Sequence, residues 1–223
     1  MLTRTLPSTS APANPAVDGR RARRERGRLA VIDAVIEMLL EGRYPPPVDE
    51  IAERSQVSVP SIFRYFDTLD ELRQETIDRY FEQYADCFEI PNLGRGSLPD
   101  RIRQLVDSRL DLYATTAGVA RVARSQAEVD PVVARNLASR RKRSIDQLRA
   151  HLAPERAART RARAEEVVAL VDVITSFEAW DLLVRAHGRN RRQIRTMWLN
   201  TLKRILSTTP SPARPVRPEI SGA

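Results

Sequence analysis

The sequence predicts an all-α protein, and three observations predict it. Apolar residues recur at three- and four-residue spacing through most segments between positions 23 and 206, which is the period of an amphipathic helix. The alternating apolar and polar runs that mark half-buried strands are missing. Glycine is scarce, 8 in 223 residues, and the 15 prolines sit mainly in two tails and at helix boundaries, where they delimit helices without breaking them. The expected architecture is an N-terminal three-helix unit followed by a larger helical unit.

Composition sets bounds on the setting. A chain of 223 residues can bury a real core in one large or two small domains. The formal charge of +8 suits a polyanionic partner. A single cysteine, Cys87, allows no intrachain disulfide and indicates a reducing compartment. A buried, inert thiol and a redox sensor are both open readings for it. No segment approaches the ~20 uninterrupted apolar residues of a membrane span, and the N-terminus lacks the apolar core of a secretory signal. A cytoplasmic protein that neither spans nor binds a membrane is expected.

Taken in order, residues 1–19 are rich in Pro, Ser, Thr and Ala and are expected to be a disordered tail. Arg20, Arg21, Arg23, Arg24, Arg26 and Arg28 follow. This cluster reads either as a solvated helix start or as an arm that neutralises phosphates or enters a minor groove. The first helix is expected from about Arg23 to Leu40, with Leu29, Ile32, Ile36 and Leu39 on its buried face and Gly42 ending it. Tyr44 and the Pro45-Pro46-Pro47 run form a stiff link.

Val48 to Leu72 then reads as two short helices and the start of a third. Ile51 and Ala52 mark the first, and Ser55-Gln56-Val57 the break. Ser58 is an N-cap, with its hydroxyl accepting from an orphan amide, and Pro60 falls in the first turn. Ile62 and Phe66 share the buried face, which leaves Val59, Ser61 and Arg64 outside. Thr68 caps the third helix in a capping box with Glu71. That helix is expected to reach Phe88, with Leu72, Tyr80, Phe81, Tyr84 and Phe88 on an aromatic face. Two short helices joined by a tight turn, the second presenting small and cationic residues, are how a protein fills a major groove.

These residues carry a resemblance. Ile51-Ala52, Val57-Ser58, Ile62-Phe63-Arg64-Tyr65-Phe66 and Asp70-Glu71-Leu72 are similar to the helix-turn-helix of TetR-family transcriptional regulators over about twenty-five contiguous positions. Val48 stands where the family usually has Thr, Pro60 where it has a small residue or Gly, and Leu69 where it has Lys. Thr and Lys there are phosphate contacts in the family, so the Arg20–Arg28 cluster is expected to compensate. The resemblance implies a homodimer that reads a palindromic operator in double-stranded DNA. Ser61 and Arg64 are expected on base edges, and Val59 and Pro60 on a thymine methyl. Tyr65 is expected on a phosphate, and Ser58 and Thr68 complete the head. Tyr44 either touches the DNA backbone or caps the core.

Residues 68–206 are expected to be the effector and dimerisation domain, with 20–67 as the DNA-binding domain and 207–223 as a second disordered tail. After the loop at Pro91–Ser97, helices are expected over 98–117, 119–128, 130–152 and 165–187, and from Asn190 to about Leu206. The resemblance implies a pocket for a small apolar effector between them, with candidate liners Leu110, Tyr113, Arg124, Phe177 and Trp180. Arg109, Arg124 or Glu128 would be informative if buried, because a buried charge needs a partner. The excess apolar surface of the last two helices suggests a four-helix dimer interface built on Ile174, Phe177, Val184, Ile194, Trp198, Leu202 and Ile205.

Catalytic, metal and cofactor sites are not expected. His151 and His187 each lie near a helix end, where the helix dipole accounts for them. No Cys/His pair has metal-ligand spacing, and there is no glycine-rich phosphate loop or Gly-flanked serine nucleophile. The sequence thus points to a DNA-binding regulator, most simply a ligand-released repressor. An architectural or ligand-independent DNA binder, or an adaptor that keeps the fold, are the alternative readings.

Overall fold

The computed structural model describes residues 15–207, and among them it contains helices and no strand. Of the disordered tails expected over 1–19 and 207–223, residues 1–14 and 208–223 lie outside the described residues, whereas 15–19 begin α1 and 207 ends the last helix. The chain divides into two compact units, Met1–Tyr84 and Ala85–Ala223. The division falls beyond the fourth helix, whereas the sequence places it before that helix.

The first unit contains α1 (Pro15–Leu40), α2 (Val48–Ser55), α3 (Val59–Tyr65) and α4 (Leu69–Gln83). The start of α1 precedes the expected Arg23 by two turns, so the arginine cluster is helical. Its C-terminal half buries Val31, Ile32, Ala34, Val35, Ile36 and Met38, a wider face than the expected stripe of Leu29, Ile32, Ile36 and Leu39. Gly42 ends α1 in the left-handed region, φ 78°, as predicted. Polar contacts explain why α4 belongs here. Arg28 bonds both Glu71, at 2.6 Å, and Glu75. Arg79 bonds Asp33 at 3.2 Å. Leu72, Thr76 and Tyr80 form the buried face of α4. The helix stops at Gln83, short of the expected Phe88. Tyr80 packs against Phe81 and Tyr84 with centroids 5.3 and 5.1 Å apart. Phe88 lies in a separate 3₁₀ turn, Ala85–Phe88, in the second unit.

The second unit contains α5 (Leu98–Gln126), α6 (Pro131–His151), α7 (Ala153–Ala157), α8 (Arg161–Ile174), α9 (Phe177–Arg185) and α10 (Arg191–Ser207). The two stretches expected over 98–128 are one helix. Gly118, which suggested the break, is buried mid-helix, and a helical glycine costs only about 1 kcal/mol. Ser97 and Asp100 close a capping box at its start, and Asp130 caps α6 as predicted.

The single helix expected over 165–187 is two. Thr175 and Ser176 turn their hydroxyls onto the carbonyls of Val171 and Val173, both at 2.8 Å. The Thr175 carbonyl accepts from the Tyr113 hydroxyl at 2.7 Å. Ser176 then caps α9 by accepting from the Ala179 amide at 3.1 Å. Short polar side chains compete with the helix for its own backbone groups, and here two in succession end one helix and start the next.

The core of this unit corrects the expected dimer interface. Ile194, Trp198 and Leu202 are at most 1% exposed and Phe177 is 5% exposed. They pack with Leu105, Val106 and Leu110 of α5 inside one subunit, and Ile174, Val184 and Ile205 are half-buried against the same cluster. Exposed aliphatics on these helices lie elsewhere: Leu170 and Val173 on α8, Leu182 on α9 and Met197 on α10.

His151 is also a correction. It is fully buried, accepts from the Gly94 amide at Nδ1, and through Nε2 bonds the Arg101 carbonyl at 2.8 Å. Two such partners require the neutral ring carrying its proton on Nε2, not a cation at a helix end. Burial pushes its pKa down. The folded state therefore favours neutral His151, and its contribution is complete above the unfolded value of about 6.5 and declines as pH falls below it. The urea midpoint of the wild type should fall between pH 7 and pH 5, and His151→Gln should show a flatter profile over that window. Parallel profiles would refute the assignment.

Candidate nucleic-acid interface

The helix-turn-helix is built on three residues that sequence periodicity finds and one that it does not. Ile51, Ile62 and Phe66 are 4% exposed or less and anchor α2 and α3 to α1. The turn between the helices is carried by Gln56 in the left-handed region, φ 56°, whose side-chain amide donates to the Glu53 carbonyl at 2.7 Å. The fourth residue is Gly27. A Cβ there would stand 2.7 Å from the Tyr65 hydroxyl and 2.8 Å from its ring. The end of α3 therefore lies directly on α1, and glycine makes the approach possible. The signal for this was a glycine inside an otherwise helical, arginine-rich segment.

Outward from this frame, Ser58, Pro60, Phe63 and Arg64 are exposed, while Val59, Ser61 and Tyr65 are half-buried. Val59 is thus less available than expected. Ser58 is the N-cap residue of α3, but its side chain caps no amide. Its hydroxyl donates to the Ser61 hydroxyl at 3.0 Å, and Arg64 donates to the same oxygen at 3.1 Å. The chain Ser58–Ser61–Arg64 fixes three polar side chains along one stripe of a seven-residue helix. Arg64 also lies beside the Tyr65 ring, 5.9 Å from its centroid. Thr68 caps α4 as predicted, accepting from the Glu71 amide at 3.0 Å. The Glu71 carboxylate reaches back to the Asp67 amide at 2.7 Å, one residue before the expected partner. That bond, with Arg28 beside it, holds the Glu71 carboxyl below the usual range.

Two exposed apolar residues were missed. Phe63 is 59% exposed and Leu69 73%. Phe63 follows Ile62 by one residue, which turns it about 100° from that buried edge and onto the open side of α3. Tyr44 is 46% exposed, outside the core, which favours the surface reading of that residue.

The arginine cluster is helical, not an extended arm. Arg20, Arg21, Arg23, Arg24 and Arg26 are exposed on α1. Arg24 donates to the Arg64 carbonyl at 3.4 Å, which places that turn of α1 beside the end of α3. Arg28 differs from the others. Its guanidinium lies over the Phe66 ring, 5.0 Å from the centroid, and is held by Glu71 and Glu75, which raise its pKa. It is a structural clamp, and the sequence reading that grouped it with the cluster is corrected.

The expected effector liners do not meet around one apolar pocket. Leu110 is 1% exposed core. Tyr113, Phe177 and Trp180 pack as a triangle with centroids 5.6–5.7 Å apart. Arg124 lies 4.2 Å over Phe177 and bonds Glu178 at 2.8 Å. Arg124 and Phe177 border an open surface depression shared with Arg121, Asp181 and Leu182. Cys87 is half-buried against the core of the second unit. No group of three or more His, Cys, Asp or Glu placed to hold a metal occurs among the described residues, and none of their helices is long and apolar enough to cross a membrane.

The Gly27 contact gives a double-mutant prediction. In a Tyr65→Ala background, Gly27→Ala should stabilise by about 1 kcal/mol through helix propensity. In the wild type the clash should reduce or reverse that gain, and the difference between the two, read by urea unfolding, measures the coupling. Equal effects in both backgrounds would mean that Tyr65 does not rest on Gly27.

Neither a protein-family model nor a curated protein matches this sequence. Solved structures do. A TetR-family transcriptional regulator from Streptomyces coelicolor is 20% identical, with TM-score 0.64 over 81% of this chain and 80% of that one. A transcriptional regulator from Rhodococcus sp. Rha1 is 22% identical, with TM-score 0.58 over 82% of this chain and 95% of that one. The chain has the fold of the TetR-family transcriptional regulators.

Proposed function

We propose that this protein is a sequence-specific DNA-binding transcriptional regulator, acting as a homodimeric repressor that a small ligand releases from a palindromic operator. The observation that carries the reading is the Ser58–Ser61–Arg64 chain on the exposed stripe of α3. Arg64 can bond a guanine through two donors, and the serine hydroxyls accept or donate to either edge of a base pair. Phe63, beside them, offers an apolar face to a thymine methyl or a sugar. In this reading the Tyr65 hydroxyl and the Thr68 backbone bond phosphates. The exposed arginines of α1 supply phosphate contacts in place of the Thr hydroxyl and the Lys charge absent at Val48 and Leu69, and counterion release makes that contribution independent of sequence.

Dimerisation is supported by the exposed aliphatics Leu170, Val173, Leu182 and Met197 on the last three helices. Leu170 and Val173, three residues apart on α8, share one face of that helix, and an exposed apolar face suits association. A two-fold dimer sets two copies of α3 about one DNA turn apart, which is what a palindrome requires.

Selection of binding sites from random duplex DNA tests the reading directly. The expected product is a palindrome with half-site centres about 10 base pairs apart or a multiple of it. No enriched sequence would overturn it. On the selected site, Arg64→Ala should cost ~1–3 kcal/mol and relax the preference at one base per half-site. An equal loss on random DNA would make Arg64 a phosphate contact instead. Replacing Arg20, Arg21, Arg23 and Arg24 by Gln should lower the slope of log K against log salt by about 0.9 for each arginine that meets a phosphate, with the selected sequence unchanged.

The subunit interface has its own test. Leu170→Glu with Val173→Glu should raise the dimer dissociation constant at least tenfold in sedimentation, while the far-ultraviolet helical signal is kept. An unchanged dimer would move the interface off α8.

A further inference from the structure

Among the described residues of the second unit, seven polar or charged side chains are deeply buried, and every charge among them but one is paired. Thr116, Thr175 and Ser176 bond backbone carbonyls. His151 uses both ring nitrogens. Asp172 pairs with Arg141 at 3.0 Å. Arg101, 5% exposed, meets Glu155 and the Gly96 carbonyl. The exception is Arg109, two turns further along α5 and 8% exposed. Its hydrogen bond runs from Nη2 to the Ser144 hydroxyl of α6 at 2.5 Å. Its Nε is shut off from solvent and bonds nothing, which is true of Arg101 as well, but the charge of Arg101 is paired with Glu155 and that of Arg109 is not. Among the described residues no carboxylate lies within ion-pair distance of it.

Arginine stays charged at any ordinary pH, so it cannot escape burial by losing a proton. A buried charge without a counter-charge is strongly unfavourable, and proteins normally pair it. The surroundings offer no anion but suit an apolar molecule. Leu105, Leu112 and Tyr113 lie within four residues of Arg109 on α5, and Ile145 and Leu148 follow Ser144 on α6. Arg140, one turn before Ser144, lies 4.3 Å over the Phe88 ring.

We infer that Arg109 is an anion receptor in the seam between α5 and α6, and that its ligand is an organic carboxylate with an apolar body. A carboxylate takes two parallel N–H bonds from one edge of a guanidinium, here the edge that carries the unused Nε. Ser144 accepts from Arg109 and keeps its own hydroxyl proton to donate to the ligand. One guanidinium neutralises a single negative charge, which favours a carboxylate over a sulfate or phosphate dianion. The apolar body occupies the seam by parting α5 from α6 at Ser144, so the closed seam and the bound ligand are alternative states. Only the description of this ligand as an effector rests on the regulator reading. The site itself does not.

The test uses the full chain without DNA, so that it is independent of operator binding. Thermal unfolding is followed with sodium octanoate, sodium benzoate, octanamide and sodium sulfate. At least one of the two carboxylates should raise Tm, by about 2–4 °C at roughly five times its Kd, while octanamide and sulfate at matched ionic strength should not. Arg109→Met should keep or raise the Tm of the ligand-free protein and abolish the carboxylate shift. Arg109→Lys retains the charge but offers a point donor, and should weaken carboxylate binding at least tenfold in calorimetry, as should Ser144→Ala. The inference is overturned if neither carboxylate shifts Tm, if sulfate or octanamide matches them, or if the shift persists in Arg109→Lys and Ser144→Ala. A large fall in Tm for Arg109→Met would overturn it too, by making Arg109 part of the fold. A protein that selects an operator but ignores both carboxylates keeps the regulator reading and loses this site. One that binds octanoate at Arg109 but selects no DNA does the reverse.

Discussion

A seven-residue helix cannot stand alone in water, and the first unit is arranged around that constraint. The α3 segment, Val59–Tyr65, is far below the length at which an isolated helix becomes stable. Its conformation is held by burial of Ile62 and Phe66 against α1 and by the approach of Tyr65 to Gly27. Arg28 completes the arrangement. It covers the Phe66 ring and binds Glu71 and Glu75 across α4, so one side chain ties the start of the hydrophobic core to the helix that follows the reading head. The exposed stripe of α3 contributes little to stability. That leaves Ser58, Ser61 and Arg64 free to be chosen for what they contact.

Much of the first unit was legible because its signals are local. Gly42 past the end of α1, Thr68 with Glu71, and Ile62 with Phe66 each specify a conformation through residues within four positions of one another. Ser58 was misread for a reason that is also local. A hydroxyl at an N-cap has two uses, and with Ser61 in reach the side-chain bond replaces the amide cap. The role of Gly27 depends on Tyr65, thirty-eight positions away, and periodicity carries no such information. The separation of Arg28 from its neighbours had the same origin. In sequence it is one more arginine in a run, and only the position of α4 shows that two carboxylates enclose it.

In the second unit the period was right and its assignment was not. Ile194, Trp198 and Leu202 recur as an interface would. An apolar stripe says that something covers it, but not whether the cover belongs to the same chain. The neighbour is α5, whose twenty-nine residues were read as two shorter helices and so offered too little surface to cover α10. The break between α8 and α9 was hidden in the same way. Thr175 and Ser176 are tolerated inside many helices. They end this one because the Tyr113 hydroxyl arrives from α5 to take the freed Thr175 carbonyl.

Charge is distributed differently in the two units, and the difference bears on where DNA would sit. Several arginines of the second unit pair with carboxylates of the same unit: Arg121 with Asp181, Arg141 with Asp172, Arg149 and Arg156 with Glu165, Arg191 with Asp111, Arg195 with Asp107. Such pairs contribute little to stability at an exposed surface, but they cancel one another's field at a distance. On α1, Arg21, Arg23, Arg24 and Arg26 form no ion pair with a described carboxylate. Residues 1–84 hold 12 arginines against 14 carboxylates, so the positive excess of the chain lies in the second unit and the cationic character of the first is confined to the N-terminal turns of α1. Arg24, bonded to the Arg64 carbonyl, puts this local cluster directly beside α3, so any field it contributes acts at short range.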